Sequence, residues 1–370
     1  MIRDLGIQNQ VLHSLLSVLI ICCCSILLNA QTLQLLRTIP KTALVDQSSN
    51  PPHIEGTVED HDVGDYGFLW SGKAVYFGQG GWIYDLEQND LRCEFPKDLH
   101  NVTLSMDGNL AFGYTTGDAL WRMEGSVQRT GKLGAINGPV SGWFCIHPSN
   151  AMIAAWDMKY RSAVYMDAIN FCDARTGKRL HQSRPGPDIA AMEGFTADGR
   201  ILILDLSGGD NSRLFDLHIM RLVPTSETQD IPRSDTFVFN RDASWVAGKK
   251  GANDWSTFVW DRIHKRFLWK DTMVSEPSAF SANGKYIYCC DTVNDASTGK
   301  TIFENLKGIQ GKFSPDGRSL LTVDDEAFYI YTLPKDSEPI FGVFQKPEPW
   351  SPPAVKKPAK MPLKKTIKKP

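Results

Sequence analysis

The stretch that constrains this chain most is Phe313 to Leu333, FSPDGRSLLTVDDEAFYIYTL. It reads as a strand ending at Phe313, a tight turn Ser314-Pro315-Asp316-Gly317, and a second strand through Leu320, Leu321 and Val323. Proline presets φ in such a turn, and glycine accepts the positive φ that closes it. An acidic turn at Asp324, Asp325 and Glu326 then reverses the chain into a third strand, Phe328 to Leu333.

The same turn recurs in weaker form upstream. Aligning each copy on its corner gives Gly72, Gly108, Asn150, Gly199, Ala243, Gly284 and Gly317, at spacings of 36, 42, 49, 44, 41 and 33 residues. A period near 40 residues is that of four-stranded repeats stacked around an axis. A second marker follows several of the turns, an aromatic strand closing on aspartate: Trp82 to Asp85, Phe171-Cys172-Asp173, Phe258 to Asp261, and Asp295 before Thr298-Gly299. One such sheet cannot dry both of its faces, so neighbours stack and the last must meet the first. Seven registers predict an all-β, seven-bladed β-propeller of four-stranded antiparallel blades.

On these turns and strand ends the sequence resembles the WD-repeat (WD40-like) β-propeller family, over residues 60–345. The resemblance implies a binding scaffold that uses its loop face. It departs from the family in lacking an evident histidine ahead of the innermost strands, His61 and His100 being the nearest candidates. The Asp-Ala-Arg-Thr-Gly and Asp-Ala-Ser-Thr-Gly strings are also similar to blade ends of quinone-cofactor dehydrogenases. Lys178-Arg179-Leu180 and Lys300-Thr301-Ile302 follow where a docking tryptophan is required, which argues against that reading.

Within the repeat region, the segment between Asn150 and Gly199 is long and places Trp156 to Arg161 in a protruding loop. The segment between Gly284 and Gly317 is short, which predicts a truncated blade. Either Leu33 to Ile39 or Pro339 to Phe344 would lend the strand that closes the ring. Trp82, Trp121 and Trp260 fall in third strands as core residues.

The termini carry separate signals. Val11 to Ala30 is apolar apart from His13, Ser14, Ser17, Ser25 and Asn29, and ends in Leu28-Asn29-Ala30. This reads as a signal peptide over residues 1–30 or an uncleaved membrane anchor of bilayer-spanning length. In both cases the body is exported, to the periplasm, the cell surface or the medium. Residues 31–59 form an N-terminal strand and linker. From Lys346 to Pro370 there are eight lysines against Glu348, so a tail of formal charge +7 follows a body that holds the remaining −9 of the net −2. Its proline and lysine content predicts a disordered tail that would contact an anionic surface, membrane or cell wall, with nucleic acid disfavoured by export.

Chemistry is hard to find. There is no Gly-x-Ser-x-Gly elbow, His-Glu-x-x-His helix, phosphate-binding glycine loop or paired Cys-x-x-Cys. No cofactor is expected. Asp60, Asp62 and Asp65 are the weak candidates for a metal ion, against a plain solvated loop. Five cysteines lie beyond the leader, too odd a number for a complete disulfide framework, although adjacent Cys289 and Cys290 would make a redox pair. The loops joining second to third strands crowd one end of the channel. There the stacking places Tyr114, Trp156, Asp157, Lys159, Tyr160, Arg161, Lys249, Lys250, Asp254, Trp255, Asp291 and Asp324. Aromatic and charged groups mixed in this way suit a protein-binding surface. The expected function is a non-catalytic protein- or ligand-binding scaffold; the alternative is a propeller hydrolase or lactonase with a metal in its channel.

Overall fold

The computed structural model describes residues 33–41, 66–77, 82–93, 99–115, 119–124, 128–132, 144–157, 168–184, 189–206, 212–224, 231–232, 234, 236–249, 256–272, 275–332 and 341–352. These hold seven antiparallel sheets of four strands each. Six are simple meanders: blade 1 over 66–93, blade 2 over 99–132, blade 3 over 144–183, blade 4 over 189–222, blade 5 over 236–271 and blade 6 over 277–303. Blade 7 takes three strands from 310–332 and its outermost from Gln34–Pro40, which pairs with Ala327–Thr332. Of the two segments proposed to close the ring, the N-terminal one does so.

Each meander is set by its first turn. Five residues separate the first and second strands in blades 2 to 7, at 105–109, 147–151, 196–200, 240–244, 281–285 and 314–318. In blade 2 the Ser105 hydroxyl donates to Asp107 Oδ1 at 2.7 Å and accepts the Leu110 N–H at 3.0 Å. Asp107 accepts the Asn109 N–H at 3.0 Å, and the Gly108 N–H closes the turn on the Ser105 carbonyl. Thr196 with Asp198, Ser281 with Asn283 and Ser314 with Asp316 repeat this clasp. All seven aligned corners have positive φ, from 56° at Ala243 to 98° at Gly72.

The aspartate at the end of the third strand closes the next turn. Asp85, Asp173, Asp216, Asp261 and Asp295 each accept the backbone N–H groups two and three residues on. Four residues past each one the chain takes positive φ, at Asn89, Gly177, Met220, Lys265 and Gly299. A left-handed residue other than glycine costs about 1–2 kcal/mol, while glycine gives back about 0.4–1 kcal/mol through unfolded-chain entropy. Lys265 is exposed at φ 53°. Lys265→Gly is therefore expected to stabilise the protein by about 0.5–1 kcal/mol, read as a higher urea midpoint; a lower midpoint would contradict the turn geometry.

Among the described residues, the inner strands of the blades are buried on both faces, while outer strands such as Arg179–Ser183 and Arg266–Asp271 are largely exposed. In the third strand of blade 3, Ile169 and Phe171 pack toward blade 4 with Leu202, Leu204 and Phe215, while Cys172, and Ala174 just past the strand, pack toward blade 2 with Leu110 and Phe112. Alternation along a strand sends successive side chains to opposite faces, so a strand buried on both sides becomes mostly apolar, here with Asn170 as a buried polar exception. Equivalent clusters join blades 1 and 2, 4 and 5, 5 and 6, and 6 and 7. The ring closes where Val75, Phe77 and Tyr84 of blade 1 meet Leu321, Phe328 and Ile330 of blade 7. There Lys312 Nζ donates to the Tyr66 carbonyl at 2.8 Å and lies over the Tyr66 ring. Each fully buried Phe or Ile contributes about 1.5–3 kcal/mol, against about 0–1 kcal/mol for an exposed pair such as Lys73–Glu87 at 3.3 Å, so packing between blades dominates.

Three expectations are corrected. Blade 6 is complete, because Cys290, at φ 51°, makes a turn short enough for Thr292–Asp295 to serve as its third strand. Trp156 and Asp157 do not belong to a loop; they end the second strand of blade 3 and pair with Ile169 and Ala168. Residues 346–352, expected in a free tail, lie extended along the molecule, and Trp350 packs against blades 3 and 4. The signal segment and residues 353–370 lie outside the described residues, among which no helix is long and apolar enough to cross a membrane.

Candidate binding face

An antiparallel meander puts its first–second and third–fourth turns at one end and its second–third connections at the other. The two ends differ in chemistry. At the turn end every first turn of blades 2 to 7 has the same length, and neighbouring turns are tied together. Asp107 of blade 2 accepts both bonds of the Asn150 amide of blade 3 at 2.9 Å. His147 Nε2 meets the Gly199 carbonyl of blade 4 at 2.9 Å, and the Asp198 N–H meets the Arg241 carbonyl of blade 5 at 3.0 Å.

The chain from Phe341 to Trp350 runs over this same end. Phe341 is buried against Phe313 and its carbonyl accepts the Asn283 N–H at 3.1 Å. The Phe344 N–H donates to the Pro315 carbonyl at 2.6 Å. Gln345 accepts from Arg241 of blade 5 at 3.3 Å, and Lys346 reaches Asp107 of blade 2 at 3.4 Å. Trp350 Nε1 donates to the Leu217 carbonyl of blade 4 at 3.3 Å, with its ring 5.7 Å from Phe171 of blade 3. Consecutive side chains at 345 and 346 touch blades three places apart in a ring of seven, so the strap crosses the middle of this end. The sequence carried a signal for it in Trp350, an aromatic in an otherwise Pro-Lys stretch.

The opposite end carries connections of unequal length, at 78–81, 116–118, 158–167, 207–211, 250–256, 290–291 and 324–326. Among the expected face residues, Tyr114 and Trp156-Asp157 stand at the ends of second strands that lead into it, and Lys249 ends the second strand of blade 5. Asp291 is exposed in the two-residue turn of blade 6. Lys159, Tyr160, Arg161, Lys250, Asp254 and Trp255 lie outside the described residues, as do Asp60, Asp62 and Asp65.

Asp324 belongs to the turn rather than to an open surface. Burial pushes its carboxyl up, but the Ala327 N–H, the Tyr329 hydroxyl, the Glu326 N–H and the Lys41 charge together hold it below the usual range. Lys249 and Asp291 come near Cys290, together with Glu276, which sequence reasoning missed. Burial, the Glu276 carboxylate and Asp291 raise the Cys290 thiol, against the backbone N–H bond and Lys249. The adjacent cysteines are free thiols, Cys289 buried in the blade 5–6 core and Cys290 half-buried in the turn. Among the described residues, no three His, Cys, Asp or Glu side chains converge as a metal site would require.

Fold and ring closure define the chain as a seven-bladed β-propeller. No family model and no curated protein matches it. Among solved structures it is similar to a chain of the "Crystal Structure of Mitotic Checkpoint Complex", at 13% identity and a TM-score of 0.49, over 72% of this chain and 86% of that one.

Proposed function

We propose that this chain is an exported, non-catalytic binding platform that takes a protein partner on the end bearing its second–third connections. The supporting observation is the asymmetry between the ends: one has short turns of three to five residues, hydrogen-bonded within and between blades and crossed by the strap, and the other has connections of two to ten residues. Loops free to vary on a rigid scaffold are where binding specificity is built. Lys249, Glu276 and Asp291 give that end mixed charge beside a half-buried turn. The basic residues 353–370 supply a separate, salt-sensitive attraction to an anionic surface.

The test is site-resolved crosslinking in the producing cell. A photo-crosslinking residue at Asp291 or within 158–167 is expected to capture one and the same partner, and one at exposed Arg318, in the turn end of blade 7, none. Capture from Arg318 alone, or different proteins from each position, would reject the reading. Metal analysis of the same preparation gives a second check, since stoichiometric calcium or zinc would replace the platform with a metal-dependent activity.

A further inference from the structure

The strap is held unequally along its length. Its first part is locked into blades 6 and 7: Phe341 is fully buried, its carbonyl takes the Asn283 N–H, and the Phe344 N–H bonds to the Pro315 carbonyl. Gly342 between them has φ 76° and no room for a Cβ against Asn283. Beyond Phe344 the hold passes to side chains. Gln345 and Lys346 are exposed, and their contacts with Arg241 and Asp107 are long, at 3.3 and 3.4 Å. Exposed polar pairs of this kind contribute little, so the outer part hangs on Trp350. Glu348 and Pro349 before it and Ser351 and Pro352 after it are exposed.

Trp350 enters a seam between blades 3 and 4 that is built for its ring. Phe171, Phe215 and Leu217 are buried there, with Met220 and Leu222 partly buried against the same cluster. Phe171 stacks on Phe215 at 5.9 Å, the indole lies 5.7 Å from Phe171, and Nε1 donates to the Leu217 carbonyl. Aromatic walls with one acceptor at the edge select an indole over a purely apolar ring. Pro347, Pro349 and Pro352 favour an extended chain on either side, and such a segment gives up little entropy when it binds. We propose that this seam is a second binding site, for a partner's extended, proline-flanked segment carrying a tryptophan, and that Trp350 occupies it in cis. The site opens as the outer part of the strap lifts, at the end opposite the second–third connections. A short tether holds its ligand at an effective concentration in the millimolar range, and a competing segment is weakened in proportion to the fraction of sites closed.

The probe is a synthetic peptide with the sequence of residues 347–352, its tryptophan fluorinated at ring position 5 and followed by fluorine NMR against the whole chain. Trp350→Ala is expected to bind it saturably, and the unsubstituted protein about tenfold or more weakly. An unlabelled copy of the peptide should displace the probe, and a copy with alanine for tryptophan should not. A second measurement does not depend on that variant folding. The protein itself is labelled with fluorotryptophan, and the Trp350 signal is identified by its loss from Trp350→Phe, which keeps the seam filled. At about 10 mM unlabelled peptide, above the effective concentration of a short tether, this signal is expected to move toward its position in the free peptide. Equal affinities for the unsubstituted protein and a folded Trp350→Ala, equal competition by the alanine peptide, or an unmoved Trp350 signal would overturn the proposal.

Discussion

Gly108→Ala is expected to destabilise the protein by about 2–5 kcal/mol, while the same change at Gly284 costs about 1–2 kcal/mol at most. Both glycines occupy the same corner, at φ 68° and 71°, so the left-handed strain is shared. They differ in what a methyl group meets. At Gly284 the nearest atoms are Asn240 Cβ and Nδ2 at 3.7 Å, an ordinary contact. At Gly108 the new carbon would lie 2.3 Å from the Phe68 carbonyl oxygen and 2.7 Å from Leu69 Cα. Those are backbone atoms of blade 1, tied to the Gly108 turn by the Trp70 N–H on its carbonyl, so room is made only by parting two blades. Urea unfolding of the two variants side by side checks this. Equal losses would mean that turn strain alone is being measured and that the blades are not in such close contact.

The second expected result concerns acid. Burial lowers His147 from 6.5 to about 4, against the opposing pull of the Gly199 carbonyl and the Asp198 charge. The folded protein therefore holds this imidazole neutral, with Nδ1 accepting the Ser149 N–H at 3.1 Å and Nε2 meeting the Gly199 carbonyl. The unfolded chain takes up the proton first, so stability is complete above about pH 6.5 and falls as pH drops toward 4. A shift of that size corresponds to about 3 kcal/mol. Below that window the carboxylates held under their usual range, Asp107, Asp173, Asp261, Asp295 and Asp324, add further loss as they protonate. Asparagine fills the same turn position in blade 5, where Asn240 Oδ1 accepts the Trp245 N–H at 2.9 Å. His147→Asn should accordingly flatten the stability profile between pH 6.5 and 4. Parallel profiles for the two proteins would show that His147 is not the group responsible.

His147 also illustrates how far the sequence could be read. Its place in the repeat was plain, as the residue before Pro148-Ser149-Asn150 in the third register. Its role was not, because the carbonyl it meets belongs to Gly199, one blade away. The same division holds elsewhere. The Ser-x-Asp-Gly corners and the strand-ending aspartates were legible because each closes its own turn within five residues. Blade 6 was misread because a short span suggested a missing strand, when a single left-handed residue, Cys290, had shortened the turn instead. On the candidate face, Asp291 was recognisable as a loop residue, while Lys249, expected beside it in a loop, ends a strand. Glu276 was not recognisable, since it is the pairing of Pro277 with Cys289 inside blade 6 that sets it beside Cys290.

What this sequence determined by itself was the repeat: the period, the number of blades and the chemistry of every local turn, since proline, glycine, aspartate and serine act on backbone only a few residues away. What the tertiary structure alone decided was closure and polarity. The choice of Gln34–Pro40 as the last strand and the course of Phe341 to Trp350 across one end depend on contacts between residues more than a hundred apart. Such contacts are made by surfaces that exist only after the blades have formed, so no local pattern of residues announces them.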